Sequence, residues 1–195
     1  MAKINFNNIK YEKSYGTAVQ LEKSTKPEIA FIGKSNVGKS SLLNKLCNNK
    51  KLAKVSSTPG KTTTINFFNA GDVYLVDLPG YGFAKRSNSE IKRWTELINE
   101  YFYHDRQFAL VVCLLDIRHN PTSGDCEMLE FIHNIGLPFM IALTKADKLS
   151  KQKQAQAAKN IKKFIGLDGH IPVIATSSES GIGIPELKNA LENAV

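Results

Sequence analysis

The stretch EIAFIGKSNVGKSSLLNKLC, residues 28–47, decides the fold. Its first six residues, EIAFIG (28–33), form a short apolar run closed by a glycine and read as a buried strand. From Ser40 to Cys47 the spacing is helical. Between the two, Gly33-Lys34-Ser35-Asn36-Val37-Gly38-Lys39-Ser40 matches GxxxxGK[ST]. Glycines let such a loop wrap closely, so that backbone N–H groups point inward at phosphate oxygens. The helix that follows adds its positive N-terminal end. Lys39 would reach the β- and γ-phosphates and the Ser40 hydroxyl would hold Mg²⁺.

Upstream lies a polar N-terminal arm, 1–27, whose pattern does not decide between an added strand and a path along the surface. Downstream, TINFFN (64–69) and VYLVDL (73–78) predict two strands joined at Gly71-Asp72, hence a hairpin. SEIKRWTELINEYF (89–102) puts Ile91, Trp94, Leu97, Ile98 and Tyr101 on one helical face. FALVVCLLD (108–116) is apolar on both faces, as central parallel strands are. A helix near 122–135, a strand PFMIALTK (138–145), a helix near 151–165, a strand IPVIATS (171–177) and a helix near 184–194 follow, with Pro185 suited to a first turn. Strands alternating with helices predict an α/β protein with a mostly parallel six-stranded sheet, helices on both faces and right-handed crossovers. The expected organisation is the arm, 1–27, and one P-loop domain, 28–195.

Ligands of such sheets bind at the carboxyl ends of the strands, and each further motif begins where a predicted strand ends. Asp77-Leu78-Pro79-Gly80 is the second phosphate element, with Asp77 holding Mg²⁺ through a water and the Gly80 N–H contacting a γ-phosphate. Tyr81 follows, where Ras-like GTPases place a glutamine that orients the attacking water, a task a phenol cannot perform in the same way. STPGKTTTINFF (57–68) is a candidate switch segment in which a threonine hydroxyl would join Mg²⁺. Thr62, Thr63 and Thr64 compete for that role and spacing does not choose. Thr144-Lys145-Ala146-Asp147 resembles the base-reading NKxD motif, with threonine for asparagine. A carboxylate there accepts hydrogen bonds from guanine N1–H and the exocyclic amine, neither of which adenine offers in that place. The Lys145 stem would lie over the base. Thr176-Ser177-Ser178 stands where GTPases carry a loop whose backbone N–H contacts guanine O6, although Ser and Thr after a strand are also ordinary turn residues.

Composition sets outer bounds. A chain of 195 residues, 42% hydrophobic and 23% charged, suits one domain with a full core. No apolar run approaches the roughly 20 residues of a membrane span, and MAKINFNNIKYEK lacks the apolar stretch of a signal peptide. Cys47, Cys113 and Cys126 form no CxxC and read as reduced thiols, which points to the cytoplasm. His104, His119, His133 and His170 are scattered, so no zinc site is expected. The net charge of +8 favours a polyanion: RNA, DNA or an anionic membrane surface. Lys145, Lys148, Lys151, Lys153, Lys159, Lys162 and Lys163 fall in one stretch whose only acid is Asp147, and Lys50, Lys51, Lys54 and Lys61 flank the first switch.

Taken in order, GKSNVGKSS, STPGKTT, DLPGYGFAK, TKAD and TSS resemble the EngB group (also called YihA or YsxC), bacterial GTPases of the TrmE-Era-EngA-EngB-Septin-like class. The resemblance runs over nearly the whole chain, and DLPGYGFAK with TPGKT is specific to the group. It implies a Ras-like P-loop GTPase fold, GTP and GDP as ligands with Mg²⁺, and a role in assembling the large ribosomal subunit through rRNA and ribosomal proteins. It also implies a link to cell division and septation, for a monomer acting in the cytoplasm without membrane insertion. Residue by residue, phosphate binding falls on Gly33, Lys34, Ser35, Asn36, Val37, Gly38, Lys39 and Ser40. Mg²⁺ falls on Ser40, on Thr62 directly after Gly60-Lys61, and on Asp77 through water, with Gly60, Lys61, Thr63 and Thr64 completing the switch contacts to the nucleotide. The γ-phosphate contacts fall on Asp77, Leu78, Pro79 and Gly80, and guanine recognition on Thr144, Lys145, Ala146, Asp147, Thr176, Ser177 and Ser178. Catalysis is carried by Lys39, Thr62 and Gly80. Asn36 stands where K⁺-using relatives carry an ion ligand, and K⁺ there would supply charge that an arginine finger supplies elsewhere. With no side chain to orient water, hydrolysis is expected to be slow until K⁺, switch ordering or the ribosomal particle completes the site. Arg86 is an alternative finger in the same chain, and otherwise joins Lys85 in a basic surface. Two other readings stand beside this one. An RNA-binding module with a structural nucleotide site draws on Tyr81; a P-loop ATPase or nucleotide kinase is opposed by TKAD and by the lack of an arginine-rich lid.

Overall fold

The computed structural model describes residues 2–49, 52–53, 64–82, 87–165 and 170–195. Its organising element is β2 (Glu28–Gly33), buried at every position. Ile29 and Phe31 enter one apolar cluster while Ala30 and Ile32 enter another, so both faces of the strand are covered. Period-two alternation sends successive residues to opposite faces, and Ile29 to Ile32 are apolar for both. β2 runs parallel to β4 (Tyr74–Asp77) on one side and β5 (Phe108–Asp116) on the other. Beyond β5 come β6 (Phe139–Thr144) and β7 (Val173–Ala175), also parallel. β3 (Ile65–Asn69) pairs antiparallel with β4, and the expected hairpin turns at Gly71, whose φ of 94° lies in the left-handed region.

The sheet has seven strands rather than the six expected. The additional one is β1 (Lys10–Tyr15), from the N-terminal arm, antiparallel to β3 at the sheet edge. The order is β1-β3-β4-β2-β5-β6-β7. Its sequence, KYEKSY, hides the strand because only Tyr15 is buried. Edge strands are kept polar to discourage further pairing. Lys13 lies over the Tyr15, Phe67 and Tyr74 rings, giving this edge a charged, aromatic-backed face.

Helices cover both faces, as expected. α1 (Lys39–Leu46) and α5 (Ile184–Glu192) bury Leu42, Leu43, Leu46, Leu187 and Leu191 on one. α2 (Asn88–Tyr103), α3 (Ser123–Asn134) and α4 (Lys151–Ile165) cover the other, through residues such as Leu97, Tyr101, Leu129 and Ile161. The α2 stripe is narrower than its spacing suggests: Leu97, Ile98, Tyr101 and Phe102 are buried, while Ile91 in the first turn is 47% exposed. At the amino end of β2, Glu28 is fully buried and takes Arg106 through two bonds, of 2.8 and 3.0 Å, with the Tyr101 hydroxyl at 2.8 Å. The Arg106 guanidinium also lies over the Phe67 and Tyr101 rings. This buried pair ties the arm, α2 and β2 together at the end of the sheet opposite the P-loop. Among the described residues no helix is long and apolar enough to cross a membrane.

Candidate functional site

The P-loop leaves β2 at Gly33, where an added Cβ would stand 2.9 Å from the Val37 side chain and 3.0 Å from the Leu114 carbonyl. Only glycine lets the loop fold back this closely against β5. The chain then curls through Asn36 (φ 63°) and Gly38 (φ 105°) into α1. Lys39 and Ser40 are the first residues of that helix, which has neither a side-chain cap nor an acid in its first turn. A helix start of this kind presents backbone N–H groups to an anion.

Beside the loop, β4 ends at Asp77, a buried carboxylate whose partner is the Lys39 ammonium. Leu78 N donates to Phe31 O at 3.0 Å, and the following residues continue along the P-loop. Ser35 N and Ser35 Oγ both donate to the Tyr81 carbonyl, at 3.0 and 3.2 Å. A Cβ on Gly80 would meet Gly33 O at 3.1 Å and Ser35 N at 3.2 Å. From α2, the Trp94 indole donates to Pro79 O at 3.1 Å. The Tyr81 hydroxyl donates to Asp125 Oδ1 at 2.8 Å, at the start of α3.

On the other side of the P-loop a cavity of about 270 Å³ is lined by Gly38, Ser41, Thr144, Lys145, Asp147 and Ser178, among others. Thr144, at the end of β6, is buried, and its hydroxyl stands 2.6 Å from Val37 O and 3.1 Å from Leu115 O. It therefore fastens the end of β6 to the P-loop. Lys145 (φ 62°) turns its ammonium to Asn36 O and to Asp116 Oδ2, both at 2.9 Å. Ser177 Oγ donates to Asp147 Oδ1 at 2.6 Å, and Lys148 lies 2.9 Å from Asp147 Oδ2. These contacts, the serine first, hold the Asp147 carboxyl below the usual carboxylate range. Thr176 N donates to Leu143 O and Ser177 N to Ile182 O, while Thr176 O accepts from Ala146 N. The two motifs TKAD and TSS are thus hydrogen-bonded to each other and border one cavity.

Gly60, Lys61, Thr62 and Thr63 lie outside the described residues, as do Lys50, Lys51, Lys54, Lys85 and Arg86. Thr64 is described; its hydroxyl is 3.2 Å from Asn66 Oδ1 at the entry to β3. Three residues of the site escape the sequence motifs. Asp116 ends β5 and takes Arg118 and Lys145; burial raises its carboxyl, but those hydrogen bonds outweigh it and the net shift is strongly downward. Its place at the end of a central strand is a readable signal. Asp125 is readable as the end of a capping pattern opened by Thr122. Trp94 falls on the apolar stripe of its helix and so reads only as core.

The P-loop, the Asp77 motif and a cavity bordered by TKAD and TSS, all at the carboxyl ends of a parallel sheet, define a P-loop GTPase. Residues 28–145 match the family model described as 50S ribosome-binding GTPase. A probable GTP-binding protein EngB of Syntrophomonas wolfei is 46% identical over 173 residues, which cover 88% of this chain and 89% of that one. The Bacillus cereus protein of the same description is 43% identical over 88% of this chain and 87% of its own. A crystal structure of a probable GTP-binding protein EngB has the same fold, with a TM-score of 0.70 and 22% identity over 86% of this chain and 97% of that one. So does Era in complex with MgGDPNP and nucleotides 1506–1542 of 16S ribosomal RNA, with a TM-score of 0.70 and 21% identity over 88% of this chain and 57% of that one. The chain belongs to the EngB family of GTP-binding proteins, and is a GTPase that converts GTP to GDP and phosphate.

Proposed function

We propose that Gly33–Ser40 binds the phosphates of GTP, that Asp77–Gly80 reads the γ-phosphate, and that the cavity around Asp147 reads guanine. The observation that supports this best is convergence: three motifs distant in sequence border one P-loop, with Thr144 and Lys145 bonded to it on one side and Tyr81 on the other. Within TSS, the Thr176 and Ser177 amides already serve the backbone, so the Ser178 amide on the cavity wall is the one to read guanine O6. Competition of labelled GTP by ATP and by GDP tests the reading; ATP displacing GTP as well as GDP does would sink it.

GTPases use Mg²⁺ with their nucleotide, and the donor set here suits a hard cation: the Ser40 hydroxyl at the helix start and the Asp77 carboxylate at the end of β4, joined by Thr62. The ion would neutralise phosphate charge. Lys39 supplies the charge at the β- and γ-phosphates, for which it must leave Asp77, and Gly80 supplies an amide at the γ-phosphate. Neither is a base. The phenol next to Gly80 is committed to Asp125, so intrinsic hydrolysis is slow. K⁺ beside Asn36 or contacts from a ribosomal particle complete the site.

The chain acts as a nucleotide switch in assembly of the large ribosomal subunit, with consequences for cell division and septation, as a cytoplasmic monomer. The family description names the 50S subunit, and Era, of the same fold, has been solved with ribosomal RNA. Residues 28–195 form the nucleotide-binding domain and the 1–27 arm its edge addition. Exposed Lys151, Lys153, Lys159, Lys162 and Lys163 on α4 are the phosphate-facing surface for rRNA.

A further inference from the structure

We propose that Tyr81 is a positioning residue: its phenol, anchored on Asp125 at the start of α3, holds the Gly80 amide in place against the P-loop. This rests on the reading of Gly80 as the γ-phosphate contact.

The described residues after β4, 78–82, cross the P-loop and meet it through a single bridge between Lys34 and Tyr81. Two side chains brace them from two helices. Trp94 on α2 donates to Pro79 O at 3.1 Å. Tyr81 donates to Asp125 Oδ1 at 2.8 Å. Gly80 lies between those two braced residues, and any side chain added there would press on Gly33 O and Ser35 N. The Asp125 brace is itself rigid. Asp125 is only 6% exposed, and its second oxygen takes Thr122 N at 2.8 Å and Thr122 Oγ1 at 2.7 Å, closing the capping box of α3. The Tyr81 ring packs against the core, and a Cβ added at Gly124 would stand 3.7 Å from it. A bond from a partly buried phenol to a buried carboxylate is charge-assisted and persists better than a surface bond. Burial first, then the Asp125 charge, pushes the phenol well above its ordinary range, so it stays a donor at working pH.

The arrangement explains how a tyrosine fits where other GTPases use glutamine. The hydroxyl is spent 44 residues away on α3, and what the residue contributes to the site is its backbone. The Tyr81 carbonyl takes two bonds from Ser35, and its N–H lies 3.4 Å from Gly33 O. Swinging the phenol free would release the α3 side of the brace, leave only the Trp94 bond to Pro79, and let the Gly80 amide wander.

The test is Tyr81→Phe, which removes one oxygen and keeps the ring. Affinities for GDP and for a non-hydrolysable GTP analogue are measured on the full chain, with single-turnover hydrolysis and thermal melting. The expected result is GDP affinity within about twofold of the parent and analogue affinity lower by about tenfold, the scale of one hydrogen bond to a charged group. Thr122→Val removes one of the two Thr122 bonds that hold Asp125; it should lower the melting temperature and shift the analogue-to-GDP ratio in the same direction as Tyr81→Phe, but by less. Asp125→Asn in the Tyr81→Phe background should add nothing to the ratio. Equal changes in both affinities, or no change in either, would overturn the inference and leave the site reading intact. A parent protein that binds neither nucleotide would overturn both.

Discussion

At the scale of single residues, the proposed guanine recognition comes down to one carboxylate. Asp147 is oriented by Ser177 and Lys148, and Ser177 is itself tied down by accepting from the Glu179 and Ser180 amides. Asp147→Asn should lower GTP affinity by about a hundredfold, because an amide sets a donor against guanine donors in a site built to accept them. The same variant should gain affinity for the xanthine nucleotide, which carries a carbonyl where guanine has its amine. Titration with both nucleotides checks this. The pH dependence follows from the shift. The carboxyl is lowered from 3.8, so it stays charged through neutral and mildly acid pH. Its share of binding is present above that value and is lost only as pH falls through the lower folded one. Loss of the preference for GTP over ATP already near pH 6 would contradict the assignment, since both nucleotides share the titration of the terminal phosphate. The residue types were legible in the sequence because each motif has local spacing. The Asp147–Ser177 and Tyr81–Asp125 bonds were not, since 30 and 44 residues separate the partners and only folding joins them.

Among elements, the loop-to-strand fastenings matter most. Thr144 closes β6 onto the P-loop through a buried hydroxyl. Thr144→Val keeps the shape and leaves Val37 O without that donor, so it should cost about 1–3 kcal/mol of stability and weaken nucleotide binding. Thr144→Asn, the side chain of general GTPases at this position, should restore binding. Denaturant melts with and without GDP separate the two effects. At the other end of the sheet, Glu28→Gln breaks a fully buried pair with Arg106 and should cost about 3–5 kcal/mol; nucleotide selectivity should be unchanged because the pair is remote from the P-loop. Strands and helices from β2 onward were readable because buried parallel strands are continuously apolar and helices keep a 3.6-residue period. β1 escaped for the opposite reason. An edge strand with one buried side chain carries no hydrophobic pattern, and what fixes it is backbone pairing with β3.

For the whole molecule, the sheet separates two jobs. Its carboxyl ends gather the nucleotide motifs, while α4 offers a surface of one sign. α4 has no acid, and Lys151 stands in its first turn, where the helix dipole disfavours a cation. A charge placed against the dipole fits a surface kept for an anionic partner. Reversing Lys159, Lys162 and Lys163 to Glu should weaken binding to large ribosomal subunits. It should also flatten the salt dependence by about 0.7–0.9 for each rRNA phosphate no longer neutralised, with GTP affinity unchanged. Sedimentation at several salt concentrations measures both; a salt-insensitive interaction would exclude this electrostatic picture. The net charge announced a polyanion, but only the helix showed which lysines share one exposed face, opposite Ile161. In the proposed GTP switch, the position where other GTPases place a water-orienting glutamine holds Tyr81, whose hydroxyl is bonded to Asp125. Single-turnover GTP hydrolysis in K⁺ buffer, with and without large ribosomal subunits and with Lys39→Ala as the blank, tests this switch most directly. The expected result is slow turnover alone and acceleration of at least about tenfold by the subunit, as when other GTPases receive catalytic help in trans. Tight GTP binding with no acceleration would contradict it, and would leave a nucleotide-gated binding module timed by exchange.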